Sequence, residues 1–139
     1  MAAFRQILRD LLRSLKGFES LSHKEAQERS IQFLVQNLSS AQRKQYESHG
    51  YFDVIGGDTG KRYRIWHGCQ LNVEQLHQNG KRVRLCFLPT GGLPVGDIML
   101  GQKIALELFE SEATKVAKGA LTWDPIFEEE LRLRRQRCR

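Results

Sequence analysis

The feature that most constrains the fold is a change of hydrophobic period at Tyr51. Before it, apolar residues recur every three or four positions, which is typical of amphipathic helices. From Tyr51 to Phe87 they lie in short alternating runs rich in β-branched and aromatic side chains, which is typical of strands. A glycine-rich turn, His67-Gly68 and the strong hairpin dipeptide Asn79-Gly80 separate these runs. The sequence therefore predicts a meander of four mainly antiparallel strands.

Two helices are predicted between residue 22 and the sheet. Ser22 with Glu25 forms a capping box ahead of one apolar stripe, so a helix should start near Ser22. Ser39 with Gln42 repeats the cap and starts a shorter helix. Gly50 follows that helix at the position that usually needs a left-handed backbone. The chain should therefore turn sharply at Gly50 into the first strand.

Helices are also predicted at both ends of the chain and after the sheet. Residues 1–17 carry an amphipathic stripe with several arginines, and residues 124–139 form a strongly basic helix or tail. Asp97 is a good N-cap for the longest helix, which should run to about Lys118 through the centre of the core. We predict one α+β domain over 1–139, with the core at 22–118 and helices packed on one face of the sheet.

Composition restricts the setting and the partners. The chain has 139 residues, a formal charge of +6, a pI near 9.5 and three cysteines. An odd cysteine count without a disulfide framework, a signal peptide or a long apolar run predicts a cytoplasmic protein with no transmembrane segment. The positive charge favours polyanionic partners such as nucleic acid.

One part of the chain resembles a known family. It runs through Tyr51-Phe52-Asp53-Val54-Ile55-Gly56-Gly57-Asp58-Thr59-Gly60 and Leu93-Pro94-Val95-Gly96-Asp97-Ile98-Met99-Leu100-Gly101-Gln102, within about Leu38 to Ala117. This stretch resembles a family of short uncharacterised bacterial proteins. The resemblance implies a bacterial origin and a compact domain, and it assigns no site residue.

A basic face of the sheet is the main candidate site. Strand alternation places Arg62, Arg64 and Trp66 on one side of their strand. Arg82, Arg84 and Cys86 share one side of the last strand in the same way. If the opposite sides are buried under the helices, four arginines and an indole lie on the outer face, where Asp53 and Glu74 supply part of the opposite charge. The predicted binding residues are Arg62, Arg64, Trp66, Arg82 and Arg84.

Three interpretations of this face stay open at the level of sequence. Arginines that fork onto phosphate beside a stacking tryptophan are typical of nucleic-acid binding, and we expect a small adaptor or regulatory module of this kind. Arginine is also an ordinary resident of an exposed sheet face, and an acidic protein partner would be attracted to the same positive charge. Alternatively, the chain is a protein-protein interaction module or a homodimer that uses residues 1–17 and binds no nucleic acid.

Catalytic and metal chemistry are not predicted. Asp58-Thr59-Gly60 spells the tripeptide of aspartic proteases, but the glycines around it and the basic residues after it are typical of a hairpin turn. Zinc would need several soft ligands, and His67, Cys69, His77 and Cys86 have no zinc-knuckle spacing. A Cys86 nucleophile lacks an orienting group. The sequence predicts no enzyme, no cofactor and no metal site.

Overall fold

The computed structural model describes residues 22–87, 91–122 and 132–133. The helices of this part of the chain are α1 (22–36), α2 (Ser40–His49), α3 (Val95–Leu108) and α4 (Glu110–Val116), and residues 132–133 are helical as well. The strands are β1 (Tyr51–Ile55), β2 (Arg62–Trp66), β3 (Val73–Leu76), β4 (Arg82–Cys86) and β5 (Lys118–Thr122). The predicted helix over 1–17, and the predicted basic helix over 124–139 apart from 132–133, lie outside the described residues.

The sheet confirms the predicted α+β fold and its antiparallel meander. Each strand pairs with the next along the chain, in the order β1-β2-β3-β4-β5. The fifth strand was not predicted. It pairs with the open edge of β4, with an irregularity between Arg84 and Cys86. None of the helices in the described ranges is long and apolar enough to cross a membrane.

The predicted helix cap and turns are present at the predicted residues. The Ser39 hydroxyl accepts a hydrogen bond from the Gln42 amide, and the Gln42 side chain accepts one from the Ser39 amide, which is the predicted capping box. Gly50 ends α2 with a left-handed φ of 72°. Gly80 has a φ of 80° in the β3–β4 turn. These confirmed turns direct the chain out of α2 and through the second hairpin of the sheet.

The core lies between one face of the sheet and the helices. Tyr63 and Ile65 of β2 and Leu85 of β4 are buried, as the alternation predicts, and Val83 and Phe87 are partly buried against them. Met99 and Leu106 supply the central contact from α3. Among the described residues, the buried apolar cluster consists of Leu34, Leu38, Phe52, Val54, Tyr63, Ile65, Val73, Leu85, Val95, Met99, Leu106 and Ala113.

The helical segment after the sheet differs from the prediction at both ends. Asp97 is not the N-cap, because α3 already begins at Val95 after Pro94. The predicted continuous helix to about Lys118 is also wrong, since Phe109 leaves helical geometry at φ −137° and ψ 40° and α4 starts anew. The apolar period continues across Phe109, so the pattern alone does not reveal the break.

Side chains of α1 cap the start of α3, because its own N-cap residue, Pro94, makes no side-chain cap hydrogen bond. The Val95 amide donates to the Gln27 side-chain oxygen at 3.0 Å, and the Gly96 amide donates to the Ser30 hydroxyl at 3.2 Å. A Cβ on Gly96 would lie 2.3 Å from the Ser30 carbonyl carbon, so only glycine permits this approach. These first amides of α3 are therefore occupied by protein groups.

Candidate functional site

The sheet face opposite the core carries side chains in rows that run across the strands. The first row consists of Asp53, Arg64, Glu74 and Arg84, which stand opposite one another on β1, β2, β3 and β4. The second, closer to the β1–β2 and β3–β4 turns, consists of Ile55, Arg62, Leu76 and Arg82. We call the six ionised side chains of these two rows the charged face: Asp53, Arg62, Arg64, Glu74, Arg82 and Arg84.

The first row is a ladder of alternating acids and bases. Arg64 donates from Nε to Asp53 Oδ1 at 2.8 Å and from Nη2 to Oδ2 at 3.1 Å, which is the strong two-pronged geometry. Arg84 Nη2 lies 3.0 Å from Glu74 Oε1, and Arg84 Nη1 donates to the Leu71 carbonyl at 3.2 Å. Opposite charges directly across neighbouring strands stabilise the sheet.

The end of the ladder formed by Glu74 and Arg84 is buried. Glu74 is 2% exposed and Arg84 is 4% exposed. Burial raises the pKa of the Asp53 carboxyl, but the hydrogen bond from Arg64 and the charges of Arg64 and Arg62 outweigh it and lower the pKa. The hydrogen bond to Asp53 raises the pKa of Arg64. Both partners are therefore held in their charged forms.

All four arginines lie on the face of the sheet where the alternation predicts them, but two of them are not exposed there. The side chain of Arg64 is only 17% exposed and that of Arg84 only 5%. The physical reason is the strand register, which brings Asp53 and Glu74 directly beside them and so offsets the cost of burying a guanidinium. The expected contribution of these two acids is confirmed.

Arg62 and Arg82 do lie in contact with solvent. Their side chains are 61% and 47% exposed, and each lies within ion-pair distance of one oxygen of an acid that is already paired in the ladder. Arg62 Nη2 is 3.2 Å from Asp53 Oδ2, and Arg82 Nη1 is 3.8 Å from Glu74 Oε2. Among the described side chains of this face, four guanidinium groups therefore share two carboxylates, which leaves a surplus of positive charge at the exposed end.

An aromatic cluster occupies the other end of the same face. Tyr51 and Trp66 stand opposite each other on β1 and β2, with ring centroids 4.8 Å apart in an edge-to-face arrangement. His49 stacks on Tyr51 at 5.4 Å, and the Arg64 guanidinium carbon lies 3.8 Å from the centre of the Tyr51 ring. Arg64 thus connects the ladder to the aromatic cluster, and the predicted site residue Trp66 lies on the face that the alternation indicated.

The Asp58-Thr59-Gly60 tripeptide forms a turn whose carboxylate is used structurally. Asp58 accepts hydrogen bonds from the Ser111 amide at 2.8 Å and the Ser111 hydroxyl at 2.7 Å, which caps the start of α4 and lowers the pKa of Asp58. Glycine at 56 and 57 is needed because the end of α3 and the start of α4 both approach closely: a Cβ on Gly57 would lie 2.0 Å from the Glu107 carbonyl oxygen of α3, and a Cβ on Gly56 would lie 2.2 Å from the Glu110 side chain of α4. The hairpin interpretation of this motif is confirmed.

Glu110 is a buried carboxylate that the sequence did not reveal. It is 1% exposed and accepts hydrogen bonds from the Asp58 amide at 3.0 Å, the Thr59 amide at 2.7 Å, the Thr59 hydroxyl and the Tyr63 hydroxyl at 2.7 Å. Burial raises its pKa, and these hydrogen bonds lower it by more. Burial and the Glu110 carboxylate raise the pKa of Tyr63. We call this arrangement the carboxylate clasp; the adjacent glycines were its one signal in the sequence.

The four soft ligands considered for zinc do not form a cluster. His67 lies beyond the end of β2 and shares a hydrogen bond of 2.8 Å between its Nδ1 and the Tyr46 hydroxyl. His77 lies beyond β3 at the opposite end of the sheet. Within residues 22–87, 91–122 and 132–133, no three His, Cys, Asp or Glu side chains come together in a way that could hold a metal ion.

Comparison with family models, curated proteins and solved structures finds no match to this chain. The resemblance of the stretch from about Leu38 to Ala117 to a bacterial family accordingly stays a prediction. What indicates a function is therefore the chemistry of the charged face and of the groups next to it.

Proposed function

We propose that this protein is a non-catalytic binding module that holds single-stranded nucleic acid on the charged face and its aromatic cluster. The observation that carries the proposal is the arrangement of exposed, incompletely neutralised guanidinium groups and aromatic rings on one sheet face. Phosphate is recognised by such forks, and bases stack on such rings without strong sequence preference. A bacterial origin and a cytoplasmic location stay predictions.

The two ends of the face have different roles in this proposal. Arg62 and Trp66 lie four residues apart along β2, which corresponds to about 13 Å in a strand. Arg62 and Arg82 donate to phosphate oxygens at one end, because their guanidinium groups keep unused donors that point to solvent. Tyr51 and Trp66, both half-buried, offer ring surface to a base at the other end.

Arg64 and Arg84 act as positioning residues rather than direct contacts. Their guanidinium groups are committed to Asp53 and Glu74, and Arg64 also holds the Tyr51 ring. A substitution of either would leave a buried acid without its partner and disturb the sheet itself. Exposed Arg62 and Arg82 are therefore the proper probes of binding.

The test is fluorescence anisotropy of labelled single-stranded DNA and RNA across a salt series. We expect the double variant Arg62→Gln/Arg82→Gln to bind more weakly and to show a log-log salt slope shallower by about 1.4, because two phosphate contacts are lost. Trp66→Leu should weaken binding by at least about fivefold through lost stacking, with an unchanged salt slope.

The matched control removes the same charge elsewhere. Arg29 and Lys115 are exposed on α1 and α4, so Arg29→Gln/Lys115→Gln should leave both affinity and salt slope close to wild type. If both double variants bind nucleic acid equally weakly, the loss of affinity is due to the lower overall charge of the protein. That result would contradict a defined binding site on the charged face. Absence of binding at low salt would overturn the proposal and favour the protein-protein module.

A further inference from the structure

A second basic feature lies at the end of the sheet, between two hairpin tips. The β1–β2 and β3–β4 turns leave the sheet at the same end and enclose an open cleft of about 570 Å³. Its polar lining includes Lys61, Arg62, Gln75, His77, Gln78 and Asn79. We call it the hairpin cleft. Arg62 belongs to both the hairpin cleft and the charged face, so the two are continuous.

Positive charge is concentrated around this cleft. The pairing of Arg62 with Leu76 places Lys61 near His77, and the His77 amide donates to the Lys81 carbonyl at 2.9 Å. No acidic side chain is among the described residues that line the cleft. The acids nearest in sequence, Asp58 and Glu74, are engaged by Ser111 and by Arg84. An anion in the cleft would therefore meet attraction from several sides.

Hydrogen-bond donors in the cleft are available to a ligand. No other described residue makes a hydrogen bond or ion pair with the side chains of Lys61, Gln75 or Gln78. Arg62 uses only one of its two terminal nitrogens on Asp53. The Lys61 ammonium, the Arg62 guanidinium and the side-chain N–H groups of His77 and Gln78 line one cleft, and such donors match the oxygens of a tetrahedral phosphate.

We propose that the hairpin cleft binds a phosphate group, with Lys61 and Arg62 as the charged contacts and the His77 imidazole and the Gln78 amide as neutral donors. This deepens the proposed function and rests on it where the phosphate belongs to a nucleic-acid backbone that continues from the charged face. A small phosphate compound offers the same chemistry and is the other source of the group.

The experiment uses two probes, sodium tripolyphosphate by calorimetry and a labelled single-stranded oligonucleotide by anisotropy. Lys61→Gln/His77→Gln removes cleft contacts at exposed positions without touching the charged-face ladder. We expect this variant to bind tripolyphosphate about tenfold more weakly, which corresponds to one lost charge-assisted hydrogen bond, and to bind the oligonucleotide more weakly as well. Arg29→Gln/Lys115→Gln serves as the control for charge, and circular dichroism confirms the fold of each variant.

The outcomes separate this inference from the proposed function. Weakening with both probes supports a backbone phosphate in the cleft. Tripolyphosphate binding that depends on Lys61 and His77, without oligonucleotide binding, supports the cleft with a small phosphate compound and overturns the proposed function. Oligonucleotide binding that depends on Arg82 and Trp66 but not on Lys61 and His77, with no tripolyphosphate binding, overturns the cleft alone. Failure of both probes overturns both proposals.

Discussion

Two regions of this molecule bury a glutamate, and they surround its carboxylate with different kinds of group. In the carboxylate clasp, Glu110 accepts hydrogen bonds from backbone amides and hydroxyls, all of which are neutral. On the charged face, Glu74 Oε1 pairs with the Arg84 guanidinium at 3.0 Å, while buried Oε2 makes no hydrogen bond with the described residues and has Arg82 at 3.8 Å. Both carboxylates are almost completely covered, at 1% and 2% exposure.

The difference indicates which region can take a ligand. The clasp joins the β1–β2 turn to α4, and its carboxylate oxygens are occupied by donors of the protein itself. The charged face has more guanidinium groups than carboxylates among its described side chains, and the additional ones are exposed. Closed polar networks make a fold specific, whereas an incomplete one at the surface leaves charge for a partner.

The largest expected effect is on the charged face, with Glu74→Ala. Removal of this carboxylate leaves buried Arg84 without its ion pair to β3, so the free energy of unfolding should fall by about 3 kcal/mol. Urea denaturation measures this. Glu47→Ala, at an exposed site on α2, is the control and should change stability by less than about 0.5 kcal/mol. Equal effects of the two variants would show that the ladder adds nothing.

Removal of the carboxylate clasp should lower the free energy of unfolding by less than Glu74→Ala does. Glu110→Ala leaves the Asp58 and Thr59 amides and the Tyr63 hydroxyl without their acceptor, and we expect the free energy of unfolding to fall by about 2 kcal/mol because water reaches part of the turn. The control on the same helix is exposed Glu112→Ala. A greater loss of stability in Glu110→Ala than in Glu74→Ala would mean that neutral donors hold a buried carboxylate more strongly than the guanidinium groups do.

Lowering the pH should weaken the carboxylate clasp and so reduce the stability of the protein. The folded-state pKa of Glu110 is lowered, so its contribution is complete above the unfolded value, about 4.3, and is lost as pH falls from there through the folded pKa. Wild type should therefore lose stability faster with falling pH than Glu110→Gln, which does not ionise. Urea denaturation at successive pH values measures the difference in the free energy of unfolding between wild type and Glu110→Gln. This difference should become smaller as the pH falls, and a difference that does not change with pH would contradict the prediction.

The smallest effect on stability should come from the exposed arginines. Arg62→Gln/Arg82→Gln should change the free energy of unfolding by less than about 1 kcal/mol, because exposed ion pairs contribute little. The same variant should bind single-stranded nucleic acid more weakly than wild type. Thermal and urea denaturation beside Arg29→Gln/Lys115→Gln check the stability, and a large destabilisation would mean that these arginines serve the fold.

Much of the fold followed from pattern because its cues are local. Alternation in Arg62–Trp66 and Arg82–Cys86, the Ser39 capping box and Asn79-Gly80 each act within a few residues. The strand Lys118–Thr122 was missed because it is short and contains glycine, and it forms against the unpaired edge of β4. Glu110 was missed because an apolar helical period continues past the break at Phe109.

The sequence by itself determined which side chains share a face of each strand, since the period of two is a property of the backbone. It also determined the turns and the overall positive charge. Only the tertiary structure decided that Arg64 and Arg84 are buried while Arg62 and Arg82 are exposed. The reason is that a charge's environment depends on cross-strand register and on packing between distant segments, which no local pattern encodes.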